Sequence, residues 1–213
     1  MSTIELSTTL LTASAPIRNE PVQARSTARL AALLDSAAAV IDEIGYERLT
    51  TAMVADRAGA SIGTVYRYFP DRIAVLQSLA ARNSERLLAR LAGELAAEGH
   101  ATATDALLGV LDVTVDLVRS EPGYRSLRVG DVLDLLPPSA EETANGVVAG
   151  AVADALEQRF ALSLDDSGRL AIATAVEVID ALVARAFARD GDGDAALLDE
   201  ARRVVRATVA GVL

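Results

Sequence analysis

ADRAGASIGTVYRYFPDR, residues 55–72, gathers Tyr66, Tyr68 and Phe69 in a chain with four tyrosines and three phenylalanines. Arg67 stands among them. Gly59 and Pro70 interrupt the run, so it reads as the end of one helix and the whole of another. On a wheel of about 100° per residue, Ile62, Val65, Tyr66 and Phe69 form one apolar stripe. Gly63, Thr64 and Arg67 fall opposite, and Tyr68 lies on the flank. The spacing predicts that a helix over 62–69 buries Ile62, Val65 and Phe69 and shows a small residue, a hydroxyl and a guanidinium outward. Its partner starts at Thr50, a good N-cap, and ends before Gly59. Val54 and Ala58 supply that partner's stripe, Ala55 lets the axes approach, and Gly59 supplies a left-handed turn.

Two short helices joined by a glycine turn make a helix-turn-helix whose second helix suits the major groove. Arginine can donate two hydrogen bonds to guanine, and Thr64 can bond a base edge or touch a thymine methyl. Gly63 lets the backbone approach closely. The Tyr66 and Tyr68 hydroxyls, Thr50 at a helix start and Arg72 after Pro70 are typical phosphate-positioning groups. The tyrosines are then expected to keep their rings in the core and turn their hydroxyls to the DNA backbone. The alternative is that all three aromatics pack in an ordinary helical core.

From residue 25 to about residue 91 the chain resembles the DNA-binding domain of the TetR (tetracycline-repressor-type) family. The resemblance is carried by Gly45-Tyr46, Leu49-Thr50-Thr51, Val54-Ala55-Asp56-Arg57-Ala58-Gly59 and Gly63-Thr64-Val65-Tyr66-Arg67-Tyr68-Phe69-Pro70, with Leu76. Ala60 stands where the family often has Val, and Arg72 where it often has Lys. The positions assigned to DNA are Thr50, Ser61, Gly63, Thr64, Tyr66, Arg67, Tyr68 and Arg72. The resemblance implies a homodimer on a palindromic operator in double-stranded DNA, released by a small-molecule effector, most often as a repressor. No cofactor is implied.

The net charge of −10 argues against nucleic acid until it is divided along the chain. Residues 1–90 hold ten Arg against nine acidic residues, and residues 91–213 hold ten Arg against twenty-one. There is no lysine. A near-neutral N-terminal part can present a basic face; the acidic remainder cannot lie along phosphates. Absence of cysteine excludes a disulfide framework, a zinc–thiolate site and a thiol nucleophile. His100 is the lone histidine and reads as a solvated loop residue. Asp190-Gly-Asp-Gly-Asp194 begins like an EF-hand loop, but Ala195 and Ala201 stand where glycine and a bidentate Glu are needed, so an acidic turn is expected. No metal site is assigned.

No apolar stretch reaches the roughly 20 residues that cross a bilayer. Ala13-Ser14-Ala15 suits a signal-peptidase site only superficially, because the preceding segment has Glu5 and no basic residue. A cytoplasmic protein without a membrane partner is expected, with residues 1–24 as a disordered tail, 25–72 as the DNA-binding domain and 73–213 as a helical effector-binding and dimerisation domain.

About nine helices are expected in an all-α chain. The first covers 26–44, with Leu30, Leu33, Leu34, Ala37, Val40, Ile41 and Ile44 at helical spacing and Gly45 as its stop. Pro70 opens a fourth reaching residue 98, and a fifth covers 103–119. Helices over 124–136, up to 160, 165–189 and from 194 to the end follow. The last two carry stripes, Ile172, Val176, Ile179, Val183 and Phe187 on one and Leu197 or Leu198, Ala201, Val205, Thr208 and Val212 on the other. The dimer interface is assigned to Ile172, Val176, Ile179, Val183, Val205, Thr208 and Val212, as a four-helix bundle with a second copy; burial within one protomer is the alternative. Effector contacts are assigned to Leu107, Leu111, Thr114, Val118, Tyr124, Arg128, Val148 and Val152, an aliphatic set. Asp112, Asp116, Glu177 and Asp180 face either that cavity, favouring a cation, or solvent. An all-α enzyme lacks support from any nucleophile–base pair, metal cluster or phosphate loop. A ligand-independent architectural DNA-binding protein would not need so large a C-terminal part.

Overall fold

A computed structural model describes residues 24–127 and 143–213, and these are helical throughout, without strands. In chain order come α1 (Ala24–Ile44), a 3-10 turn (Tyr46–Arg48), α2 (Thr51–Arg57), α3 (Ile62–Tyr68) and α4 (Arg72–Ala96). Then follow α5 (Ala103–Ser120), α6 (Ala144–Phe160), α7 (Asp166–Arg189) and α8 (Ala195–Val209). Eight α-helices thus stand among the described residues where about nine are expected. Of the helix expected over 124–136, residues 124–127 form a turn and the rest lie outside the described residues. The expected N-terminal tail lies outside them too, apart from Ala24, which already belongs to α1.

Side chains set the helix starts. The Thr50 and Ser61 hydroxyls accept from the N–H groups of Met53 and Thr64, both at 3.2 Å. Asp71 accepts from Ala74 N–H at 2.9 Å, so Pro70 precedes the cap of α4 instead of opening the helix. Asp165 and Asp194 cap α7 and α8 in the same way.

One compact unit comprises residues 24–84 and 121–127. Its core joins Leu33, Leu34, Ala37 and Ile41 of α1 to Val54 and Ala55 of α2, Val65, Tyr68 and Phe69, and the first half of α4. The expected stripe on α1 is therefore the face it buries. After Ser120 the chain turns back onto this core. Gly123 sits at φ +73°, where a Cβ would lie 2.7 Å from the Ala38 carbonyl oxygen, so only glycine fits. Its N–H donates to Asp42 Oδ1 at 3.1 Å, and the buried Asn83 amide donates to the Leu127 carbonyl at 3.1 Å.

The second unit comprises residues 85–120 and 143–213. There α7 packs along α6 and α8, and α5 packs on both α7 and α8. Arg159 of α6 donates to the Leu95 carbonyl at 2.5 Å. His100, expected to be solvated, is largely covered and its Nε2 lies 2.9 Å from Glu94 Oε1. No described helix is long and apolar enough to cross a membrane.

Candidate nucleic-acid interface

α2 ends in two hydrogen bonds that define a glycine cap. Gly59 N–H donates to Asp56 O at 3.2 Å and Ala60 N–H to Ala55 O at 2.9 Å, with Gly59 at φ +56°. No atom crowds a Cβ at Gly59, so the dihedral alone is what favours glycine there. The chain then reverses into Ser61, which caps α3. Two short helices and this turn form a helix-turn-helix.

The face that α3 buries is not the one centred on Ile62. Val65, Tyr68 and Phe69 go inside, at the i, i+3, i+4 spacing, whereas Ile62 and Tyr66 are exposed. On α2, Val54 and Ala55 are buried and Ala58 only partly. The outer surface of α3 presents Ile62, Gly63, Tyr66 and Arg67, with Thr64 at its edge.

Most of the positions assigned to DNA make hydrogen bonds within the fold, and in two of them the side chain is held by an element other than α2 or α3. Tyr68 is 6 % exposed, and its hydroxyl lies 3.1 Å from Ser26 Oγ on α1, so it fastens α3 to α1. Arg72 reaches back: its Nη1 donates to the Glu47 carbonyl at 2.6 Å and to that of Tyr46 at 3.5 Å, closing the 3-10 turn. A guanidinium has five donors, so this use leaves others for a phosphate. Tyr66 is the tyrosine that faces outward, its hydroxyl 3.4 Å from Thr51 Oγ1 at the start of α2. Thr64 shares a 2.9 Å hydrogen bond with Ser61 Oγ. Thr50, Ser61, Gly63 and Arg67 are all exposed. Arg57 donates to Glu43 at 2.6 Å, tying α2 to α1, and this hydrogen bond holds the Glu43 carboxyl below its ordinary value.

In the second unit the stripe assigned to dimerisation is consumed inside the chain. Ile172, Val176, Ile179, Val183 and Val205 are all buried, because α5, α6 and α8 cover that face of α7. Thr208 is partly buried, and its hydroxyl bonds the Val204 carbonyl at 2.9 Å. Val212 packs where a Cβ on Gly168 would lie 3.2 Å from its methyl. The opposite face of α7 carries Leu170, 67 % exposed, with Thr174, Ala181 and Arg185.

Leu107, Leu111, Val118, Val148 and Val152 are buried in the second unit, and Thr114 is partly buried with its hydroxyl on the Val110 carbonyl at 2.8 Å. Tyr124 is buried in the first unit, and Arg128 lies outside the described residues. Asp112, Asp116 and Glu177 are on exposed faces. Asp112 pairs with Arg202 at 2.7 Å and Glu177 accepts from Asn145 at 2.9 Å, while Asp180 is partly buried. In the acidic turn, Asp190 accepts from Asp192 N–H at 2.9 Å and Arg119 donates to the Asp192 carbonyl at 2.9 Å.

Residues 33–79 match the family model described as bacterial regulatory proteins, tetR family. Residues 101–210 match the model of the tetracyclin repressor-like C-terminal domain. The chain belongs to the tetR family, a family of DNA-binding transcriptional regulators and not of enzymes. A TetR-family transcriptional regulator from Streptomyces coelicolor is similar over 88 % of this chain and 98 % of its own, at 34 % identity and a TM-score of 0.72. The HTH-type transcriptional repressor KstR of Rhodococcus jostii is 41 % identical over 58 residues, 27 % of each chain. FadR from Bacillus subtilis, in complex with stearoyl-CoA, shares the fold at 21 % identity and a TM-score of 0.62, over 86 % of this chain and 99 % of that one. The chain spans about a quarter to a half of the length of the curated relatives it matches.

Proposed function

We propose that the protein is a repressor that binds a palindromic operator as a homodimer and leaves it when a small apolar effector binds the C-terminal unit. One observation carries the DNA side of this reading. A helix-turn-helix capped by Thr50 and Ser61 presents Gly63, Thr64, Tyr66 and Arg67 on the surface that its core leaves free. Arg67 then reads a base edge, and Thr50, Ser61 and Tyr66 position the phosphates. Arg72 does so with the donors that the 3-10 turn leaves over, and Tyr68 acts indirectly, by fixing α3 on α1.

The similarity to a named repressor, KstR, supports the sign of the regulation. The stearoyl-CoA held by a protein of the same fold supports an effector with a large apolar part. Of the side chains assigned to the effector, Leu107, Leu111, Val118, Val148 and Val152 are buried and aliphatic. Of the acidic neighbours, Asp112, Asp116 and Glu177 are exposed and Asp180 is partly buried, which favours an apolar effector over a cation. Dimerisation passes to the outer face of α7 at Leu170, Thr174, Ala181 and Arg185, since the inner stripe is covered by the chain itself.

Sequencing the genomic fragments that the purified protein retains tests the DNA side: a shared near-palindrome is expected, and fragments without a common sequence overturn it. Effector control is tested by linkage. An effector that lowers operator affinity by some factor must bind more weakly, by the same factor, when operator is saturating. Calorimetry with acyl-CoA thioesters, with and without the retained duplex, reads that factor. Unchanged affinity for a bound thioester rules it out as the inducer.

A further inference from the structure

Among the described residues four large hydrophobic side chains stand exposed, and three belong to the helix-turn-helix: Met53 at 39 %, Ile62 at 43 % and Tyr66 at 44 %. Ile62 and Tyr66 are four residues apart on α3 and so share a face. Folding does not account for Ile62. The core contacts of α3 are made by Val65, Tyr68 and Phe69 on the other side. A β-branched residue is also a weak helix former, and its exposed apolar surface gains nothing from water. The neighbouring Gly63 leaves open space beside it, with only the Ser61 hydroxyl 3.8 Å from where a Cβ would sit.

Beside Tyr66, the exposed part of α3 near Ile62 is small or polar. Arg67 is exposed on the same helix, and the Thr64 hydroxyl is drawn toward Ser61. An apolar side chain set among such groups has one complement in the major groove. Every base edge there offers donors or acceptors, and the single apolar group is the C5-methyl of thymine.

We propose that Ile62 is a specificity-determining residue that reads a thymine C5-methyl in each half-site, with Tyr66 as the second wall of the contact. The proposal rests on the operator-binding reading and adds a base identity to it. The Thr64 hydroxyl is engaged with Ser61 Oγ, and Ile62 offers the larger exposed apolar surface of the two.

The purified full-length protein first selects its preferred duplex from a random-sequence pool. That duplex is then resynthesised with each dT in turn replaced by dU, which lacks only the methyl. One dT per half-site should weaken wild-type binding by about three- to tenfold when replaced. The same replacement should cost Ile62→Ala nothing further, and Ile62→Val should fall between. Unchanged thermal unfolding of Ile62→Ala establishes that the fold is intact, as expected for so exposed a side chain. If no dU weakens the wild type, or if wild type and Ile62→Ala lose equally at every dU, the thymine contact is overturned. The operator-binding reading survives that result, because the selected duplex is still bound. Only failure to select any duplex overturns both.

Discussion

α3 buries Val65 and Tyr68 and leaves Ile62, Gly63, Tyr66 and Arg67 in the open, whereas α7 buries a stripe from Gly168 to Phe187 and carries one large exposed hydrophobic, Leu170. Length explains the contrast. Two turns of helix cannot sustain themselves, so α3 depends on the Ser61 cap and on a few anchors, and most of its surface is available to a partner. A helix of 24 residues has room for a repeating stripe, and here three other helices use it. Apolar residues in a short capped helix can therefore mark a binding face, while apolar periodicity in a long one marks the core. Exposed apolar residues are common, so what singles out Ile62 is its place in a polar face and not its exposure alone.

The largest effect that could break this contrast is expected on α7. Ile172→Ala removes a fully buried side chain and should cost about 2–5 kcal/mol of unfolding free energy. Leu170→Glu should leave protomer stability within about 0.5 kcal/mol, as for other surface changes. It should instead raise the protein concentration needed for dimer formation. Denaturant unfolding and sedimentation of both variants decide the matter. Equal dimerisation by Leu170→Glu and wild type would move the interface away from the outer face.

Next come two arginines, Arg67 in the last turn of α3 and Arg72 at the start of α4. Arg67→Ala should cost about 1–3 kcal/mol of operator binding and relax preference at one position in each half-site. Arg72→Ala should weaken binding to all duplexes alike and flatten the salt dependence. It should also lower stability, since the Glu47 carbonyl loses the Arg72 donor at 2.6 Å while that of Tyr46 keeps the Leu49 N–H. Binding to a panel of single-base operator variants separates the two, and altered base preference in Arg72→Ala alone would reverse the assignment.

How much of this was legible in the sequence follows the same division. Thr50 and Gly59 act within three or four residues of themselves, so the start and stop of α2 could be read directly, whereas Ser61, assigned to DNA, also caps α3. The rotation of α3 could not. A wheel centred on Ile62 equates apolar with buried, and it placed Ile62 and Tyr66 inside while leaving Tyr68 on the flank. The hydroxyl that satisfies Tyr68 belongs to Ser26, 42 residues away, a pairing that local spacing cannot show. On α7 the periodicity gave the apolar face correctly but not its cover, which comes from α5, α6 and α8. Isoleucine directly after Ser61 and beside glycine, on a short helix that also carries Arg67, was the available signal for Ile62.

The two tyrosines offer a smaller test. Tyr68→Phe removes a nearly buried hydroxyl and strands Ser26 Oγ, at a cost of about 0.5–1.5 kcal/mol in stability. Base preference should not change. Tyr66→Phe loses only an exposed contact with Thr51, so its stability should match wild type while its affinity for operator falls. Melting temperature and duplex affinity measured on both variants should sort in opposite directions; a common loss of both properties would erase the distinction between anchor and contact.

The smallest expected effect is also the most diagnostic. Gly63 is the second residue of α3, and the cost of glycine against alanine there is at most the roughly 0.8–1 kcal/mol of a helix interior. Neither of the usual reasons for glycine applies. Its φ is not positive, and a Cβ would meet nothing nearer than 3.8 Å. Gly63→Ala should accordingly stabilise the free protein, by about 0.4–1 kcal/mol if the native backbone accepts the methyl without strain. If the space above Gly63 is where the DNA backbone or a base edge approaches, the same methyl must weaken operator binding. A variant that is more stable and binds worse is the expected outcome, read by chemical denaturation and duplex titration on one preparation. Contact through the outer face of α3 predicts that opposition; a glycine kept for folding predicts loss of stability with affinity following it down. A Gly63→Ala protein that gains stability and binds operator as wild type does would show that nothing approaches α3 at this residue, and the recognition face would have to be moved toward Arg67.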